Sequence, residues 1–196
     1  MIHWFYERRL KKALSLFPQH VCFMISEQEM RDAPGKVIEV ATWCRDLGIG
    51  EVTFHIDTRD PEKMEPYLAK LHKIAEFAKL TLHYAEREEV SGEGMNVIIA
   101  VGMSGREEVA RCIRSLASEG VSPEKVTEEM IESHLTFQYE PDLVVKTGGN
   151  YLTDFLIWQS VYSELLFSDV NWKLFRKIDF LRALRDYQFR KRRFGK

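Results

Sequence analysis

Residues 20–56 read HVCFMISEQEMRDAPGKVIEVATWCRDLGIGEVTFHI, and this stretch decides the fold. Val21 to Ile25 is an unbroken apolar run, the pattern of a strand buried on both faces. Val37, Ile38, Ala41, Cys44 and Leu47 then recur at the helical period, and Gly48 stands where a left-handed residue would end that helix. Val52 to Ile56 is a second apolar run. A β-rich segment, a helical one and another β-rich segment predict an α/β fold with a central, mostly parallel sheet flanked by helices.

Outward from that unit the pattern repeats. On the N-terminal side Tyr6, Leu10, Ala13, Leu14 and Phe17 share one helical face, opposite Arg8, Arg9, Lys11 and Lys12, and Pro18 is predicted to stop the helix. On the C-terminal side Asp60-Pro61 reads as a helix start, with Met64, Leu68, Leu71, Ala75 and Ala78 inward. Strands follow at Leu80–Tyr84 and Met95–Val101. Ser104 and Glu107 form a predicted capping box for a helix closed by Gly120. A short helix around Glu128–Leu135 precedes a strand at Leu143–Lys146. The last helix starts at about Leu174, with Ile178, Leu181 and Leu184 inward, Asp179 near its start and arginines at its end. No repeat or linker interrupts the 196 residues, so a single domain over 1–196 with a basic tail, 187–196, is expected.

Composition narrows the functions. Hydrophobic residues make up 45% and charged residues 30%, with a formal net charge of -2, which argues against a nucleic-acid partner. Cys22, Cys44 and Cys112 are widely spaced in apolar surroundings and read as core residues rather than a disulfide frame or a zinc site. No apolar run approaches the length of a membrane span, and residues 1–17 have no signal-peptide core. The expectation is a cytoplasmic protein, with peripheral contact to a membrane left open.

The residues alone offer few sites. The six histidines show no metal-binding pairing, and no nucleophile elbow is present. Two turns after strands could hold an anion: Gly102-Met103-Ser104-Gly105-Arg106 and Lys146-Thr147-Gly148-Gly149-Asn150. Neither matches a known phosphate loop, and a tight turn with a helix cap is the simpler reading of the first.

A resemblance takes the reading further. Residues 140–149 (EPDLVVKTGG) resemble the P-D-L-x-I-R-T-S-G segment of cis-prenyltransferases, residues 155–167 (FLIWQSVYSELLF) their F-L-x-W-Q-x-x-Y-x-E-L-x-F, and residues 187–195 (YQFRKRRFG) their Y-Q-x-R-x-R-R-F-G. Weaker matches include Asn96-Val97-Ile98 with Gly105-Arg106-Glu107-Glu108. The resemblance implies the undecaprenyl diphosphate synthase-like fold and the addition of isopentenyl diphosphate to an allylic diphosphate. In that family an aspartate in a D-G-N-x-R-W motif holds Mg²⁺, and arginines bind phosphate.

The departures matter as much. Ser26 stands at the usual aspartate position, and the stretch from there to Trp43 is roughly a dozen residues short of the family pattern. Lys146 replaces a phosphate-gripping arginine, and a lysine is a point charge without the planar fork. Lys146, Gly148, Gly149 and Arg106 would form a residual site, and Glu164 is the remaining candidate metal ligand. The combination resembles the non-catalytic, Nogo-B receptor-like subunit of heteromeric cis-prenyltransferases. There the C-terminal Arg-x-Gly, here Arg193 and Gly195, enters the active site of a catalytic homologue. That resemblance implies Mg²⁺ in the partner's site with none firmly bound by this chain. It also implies isopentenyl diphosphate at the shared site, and pairing through Trp158, Tyr162, Leu166 and Phe167. The alternatives are a homodimeric enzyme active by itself through Glu27 and Glu164, and a scaffold protein outside isoprenoid metabolism.

Overall fold

A computed structural model describes residues 2–85, 87–149 and 152–190. Seven strands form one sheet: β1 (His20–Ser26), β2 (Glu51–Asp57), β3 (Lys79–Tyr84), β4 (Arg87–Ser91), β5 (Asn96–Val101), β6 (Leu143–Thr147) and β7 (Glu164–Ser168), in the order β4-β3-β5-β2-β1-β6-β7. All neighbours are parallel except β3 and β4, which form an antiparallel hairpin. The helices are α1 (Ile2–Ala13), α2 (Glu27–Asp32), α3 (Gly35–Leu47), α4 (Glu65–Leu68), α5 (Gly105–Ser118), α6 (Glu128–His134) and α7 (Lys177–Phe189), with short 3-10 turns between several of them.

The sheet buries both faces. One carries the larger core, where Val21, Phe23 and Ile25 of β1 meet Val37, Val40 and Leu71 from the helical segments and Phe180 and Leu184 of α7. Phe23 stacks on Phe54 at 5.5 Å between ring centroids, with Trp172, Phe175 and Phe180 around it. The other face carries Cys22, Met24, Ile98 and Val144 beneath Phe137, Phe155 and Leu156. Successive residues of each strand serve opposite faces. The connections after β1 and β2 therefore cross the first face, and those after β5 and β6 cross the second. At β1 beside β6, and at β2 beside β5, the chain leaves neighbouring strands toward opposite faces. Such splay points are where α/β sheets open crevices for ligands.

Several local expectations change. The first helix ends at Ala13, well before Pro18. The segment after Asp60-Pro61 is a 3-10 turn, one turn of α-helix and a second 3-10 stretch. Asp60 does not cap it; its carboxylate pairs with Lys63 at 2.7 Å. Ser104 accepts from the Glu107 N–H, but the Glu107 carboxylate turns to Arg114 at 2.8 Å, so the capping box is half formed. The final turn of α7 contains no basic residue. Strands β4 and β7 have no counterpart in the sequence-based expectation. The cysteines are free and buried, and burial pushes the Cys22 and Cys44 thiols far up. No helix among the described residues is long and apolar enough to cross a membrane.

Candidate functional site

The crevice between the carboxyl ends of β1 and β6 is filled by a side chain of this chain. Ser26 ends β1 and caps α2, its hydroxyl accepting from the Glu29 N–H at 3.3 Å. The Glu29 carboxylate folds back under the cap. Its Oε2 accepts from the Ser26 N–H and from the Ser26 hydroxyl, both at 2.9 Å. Its Oε1 accepts from the Thr147 hydroxyl at 3.1 Å, from the end of β6, and from the Trp172 N–H at 3.2 Å. Glu29 is only 6% exposed. Gly148 completes the fit: an added Cβ would lie 2.6 Å from Glu29 Oε1, and its φ of +65° also disfavours a side chain. Sequence reasoning missed Glu29, although the Ser26-x-x-Glu29 spacing is a capping-box signature. Its contacts with Thr147 and Trp172 leave no local trace.

The donor set at this crevice does not fit a divalent cation. The Ser26 hydroxyl is committed to Glu29, and the Glu29 oxygens face N–H and O–H donors. Among the described residues no group of three potential metal ligands gathers anywhere. Glu27 accepts from the Thr58 hydroxyl and from Arg31, each at 2.5 Å. The Thr58 hydrogen bond, with Arg31 assisting, holds its carboxyl below the usual range. Glu164 opens β7 opposite Leu143, the first residue of β6, and meets Arg190 at 3.3 Å. That end of the sheet is about 13 Å, four residues of strand, from Thr147. Within one chain Glu27 and Glu164 do not share a site.

The other residues of the expected residual site lie mainly on the second face. Lys146 is 4% exposed and sits beside Met24 in register. Ser104 donates to the Asp154 carboxylate at 2.6 Å, and the Gly105 N–H donates to the Asp154 carbonyl. Two donors of the Gly102–Arg106 turn that sequence suggested for an anion thus serve the segment after β6, and the Gly102 N–H donates to the Ile56 carbonyl at 2.9 Å. Arg106 is exposed and, with Thr153, Asp154 and Ser160, lines a cavity of about 320 Å³. Gly149 follows Gly148 out of the sheet. Glu108, buried, accepts from the Phe137 N–H at 2.9 Å and from Gln159 at 3.3 Å, so it braces the fold. Arg193 and Gly195 lie outside the described residues.

Of the residues expected at an interface, Tyr162 (48% exposed) and Phe167 (42%) face outward, alongside Val161 (68%). Trp158 is partly buried and donates to Glu132 at 3.4 Å, and Leu166 packs against the larger core.

Two buried histidines make stability depend on pH. His55 stacks on Phe155 at 4.0 Å, and its Nε2–H donates to the Met103 carbonyl at 2.9 Å. His20 meets the Thr53 hydroxyl at 2.9 Å and faces Glu51, whose carboxyl is itself pushed up by burial. Burial lowers both imidazoles from 6.5 to about 4. Between those values the unfolded chain binds protons that the folded chain refuses. Stability is therefore full above about pH 6.5, falls by up to about 1.4 kcal/mol per pH unit for each histidine, and levels off below about pH 4. Urea midpoints between pH 7.5 and 4.5 should show this fall, and His55→Gln should reduce its slope by about half.

The mostly parallel sheet flanked by helices places the chain in the α/β class, whose ligand crevices open beyond the carboxyl ends of the strands. The comparisons then give the family. The family model described as putative undecaprenyl diphosphate synthase matches residues 66–195. The chain is 35% identical over 201 residues to the tritrans,polycis-undecaprenyl-diphosphate synthase (geranylgeranyl-diphosphate specific) of Methanocaldococcus jannaschii, covering 82% of this chain and 72% of that one. It is 33% identical to the isoprenyl transferase of Thermus thermophilus, covering 100% of this chain and 96% of that one, over 252 positions against its own 196 residues. The relative thus carries segments without counterpart here. Two solved structures share the fold: a probable undecaprenyl diphosphate synthase from Campylobacter jejuni (TM-score 0.68, 18% identity, 93% and 100% coverage) and lavandulyl diphosphate synthase from Lavandula x intermedia (0.71, 21%, 91% and 98%). The chain belongs to the undecaprenyl diphosphate synthase, or cis-prenyltransferase, family.

Proposed function

We propose that the chain is the non-catalytic subunit of a heteromeric cis-prenyltransferase that makes long-chain polyprenyl diphosphate. The observation that carries this reading is the saturated Glu29 carboxylate at the end of β1. Where the family places a metal-holding aspartate, Ser26 is engaged by Glu29, and the donors of Ser26, Thr147 and Trp172 are consumed internally. The catalytic partner holds Mg²⁺ and the allylic diphosphate. This chain supplies the Arg193 guanidinium, which can fork onto diphosphate oxygens, and the Gly195 backbone, which can approach closely. The separation of Glu27 and Glu164 weighs against a single chain using that pair, so an enzyme active by itself would have to draw them from two protomers.

The test is isopentenyl diphosphate incorporation by the pure chain, by a homologue from the same organism with an intact D-G-N-x-R-W motif, and by the two together. The pure chain should show no Mg²⁺-dependent elongation, and the mixture should exceed the homologue alone. Robust elongation by the pure chain would sink the reading, and no effect on any homologue would favour a scaffold role.

The contact surface is proposed at β7, an edge strand, and at Val161, Tyr162 and Phe167 beside it. Phe167→Asp is the informative variant, because Leu166 also packs against the core and its replacement would confuse folding with assembly. Phe167→Asp should weaken co-purification with the partner by about tenfold or more while leaving the urea midpoint of the free chain nearly unchanged. Undiminished assembly would place the contact elsewhere.

A further inference from the structure

The crevice at the second splay point, where β2 and β5 send the chain to opposite faces, holds the largest of the described cavities, about 600 Å³. Pro61 bounds it on one side and the first turns of α5 on the other, with the β3–β4 hairpin across the end. That size falls within the range of small-molecule sites. Its interior is apolar along Val101, Met103 and Ala85, with the Tyr84 ring beside them.

The charges around it do not cancel. Its two carboxylates are Glu88, which faces the His83 imidazole at 3.5 Å, and Glu107, which pairs with Arg114 at 2.8 Å. Burial lowers the His83 pKa, so that imidazole is neutral. Three guanidiniums, Arg87, Arg111 and Arg114, thus stand against two carboxylates. Two guanidiniums, Arg87 on β4 and Arg111 on α5, line the same cavity and make no ion pair within 4.0 Å among the described residues, Arg111 acting on Glu107 only from further off. Arg87 and Arg111 reach this cavity from different elements, the β3–β4 hairpin and α5. Guanidiniums bind phosphate and carboxylate through paired N–H donors. A phosphate monoester carries between one and two negative charges at neutral pH, which suits two arginines better than a single carboxylate does.

We propose that this cleft binds a phosphate monoester bearing a short apolar chain, the headgroup held between Arg87 and Arg111 and the chain laid along Val101 and Met103. The site is separate from the crevice filled by Glu29 and requires no partner subunit. Its test is therefore independent of the assay on the complex.

Octyl phosphate titrated into the full chain by calorimetry should give saturable binding with 1:1 stoichiometry. Arg87→Ala and Arg111→Ala, both at exposed positions, should each weaken it about tenfold, the loss expected for one charge-assisted contact. Arg106→Ala, which removes an exposed guanidinium from a different cavity, should change it by less than about twofold. Inorganic phosphate and octanol should each bind at least about tenfold more weakly, since each satisfies half the site. In amide spectra the perturbed signals should cluster at Ala85, Gly102 and Ser104. Absence of saturation, or equal losses from Arg106→Ala and Arg111→Ala, would overturn the proposal. Octanoate binding as tightly as octyl phosphate would overturn the assignment to a phosphate.

Discussion

Glu29→Ala should lower the stability of the chain by about 3–5 kcal/mol, one of the largest losses available to a single substitution here. The carboxylate accepts from four donors on three separate parts of the chain: Ser26 twice, Thr147 and Trp172. Its removal leaves those groups without an acceptor where little water reaches, at about 1–3 kcal/mol each, partly offset by relaxation. Glu29→Gln keeps the shape but turns an NH₂ group toward donors, and should recover less than half of the loss. Gly148→Ala should also destabilise, because its Cβ would press on the carboxylate. In the double variant the methyl group would enter vacated space, so the two losses should fall short of additivity. Urea denaturation at fixed m measures all three. A loss under about 1 kcal/mol for Glu29→Ala would mean that water replaces the carboxylate freely.

The second large effect concerns the tail. On the proposed heteromeric reading, deleting residues 193–196, or replacing Arg193 by alanine, should lower the activity of the complex by about ten- to a hundredfold while leaving assembly intact. Diphosphate carries several charges, and an arginine fork in a partly dry site contributes both binding and orientation. Arg193→Lys should recover only part, because an ammonium lacks the fork. Gly195→Pro should reduce activity if the backbone N–H at that position donates to the diphosphate. Kinetics with varied isopentenyl diphosphate should show a raised KM, and a lowered kcat where orientation is lost as well. Identical kinetics for truncated and full-length complexes would show that the tail contributes nothing to the shared site.

Most of the sheet was legible in the sequence because its parallel strands are buried on both faces. Val21–Ile25, Val52–Ile56 and Leu143–Lys146 were expected as strands, and the structure finds β1, β2 and β6 extending them by only one or two residues. The missed strands are the edges. All five residues of β4 are exposed, so Arg87–Ser91 needed no apolar alternation. Leu165 and Leu166 of β7 serve different faces of the sheet, so neither formed a recognisable stripe. Site chemistry was less legible than the fold. Ser26 could be placed through motif resemblance, but its engagement by Glu29 depends on Thr147 and Trp172, 118 and 143 residues away from the glutamate. The Gly102–Arg106 turn suggested anion binding, but in the structure the Ser104 hydroxyl and the Gly105 N–H are bonded to Asp154 and the Gly102 N–H to Ile56.

The bond between Ser26 and Glu29 also constrains how such a chain can evolve. An aspartate at position 26 would set a second carboxylate against the first, since the Ser26 hydroxyl lies 2.9 Å from Glu29 Oε2. Two like charges at that distance cannot both ionise without a large cost. Losing Glu29 first would strand its four donors instead. Each single step toward a metal-binding aspartate therefore begins with a loss of stability, whichever residue changes first. The two positions are locked together epistatically. A lineage carrying this pair therefore meets a stability cost at its first step toward an aspartate at position 26, whatever selection acts on it.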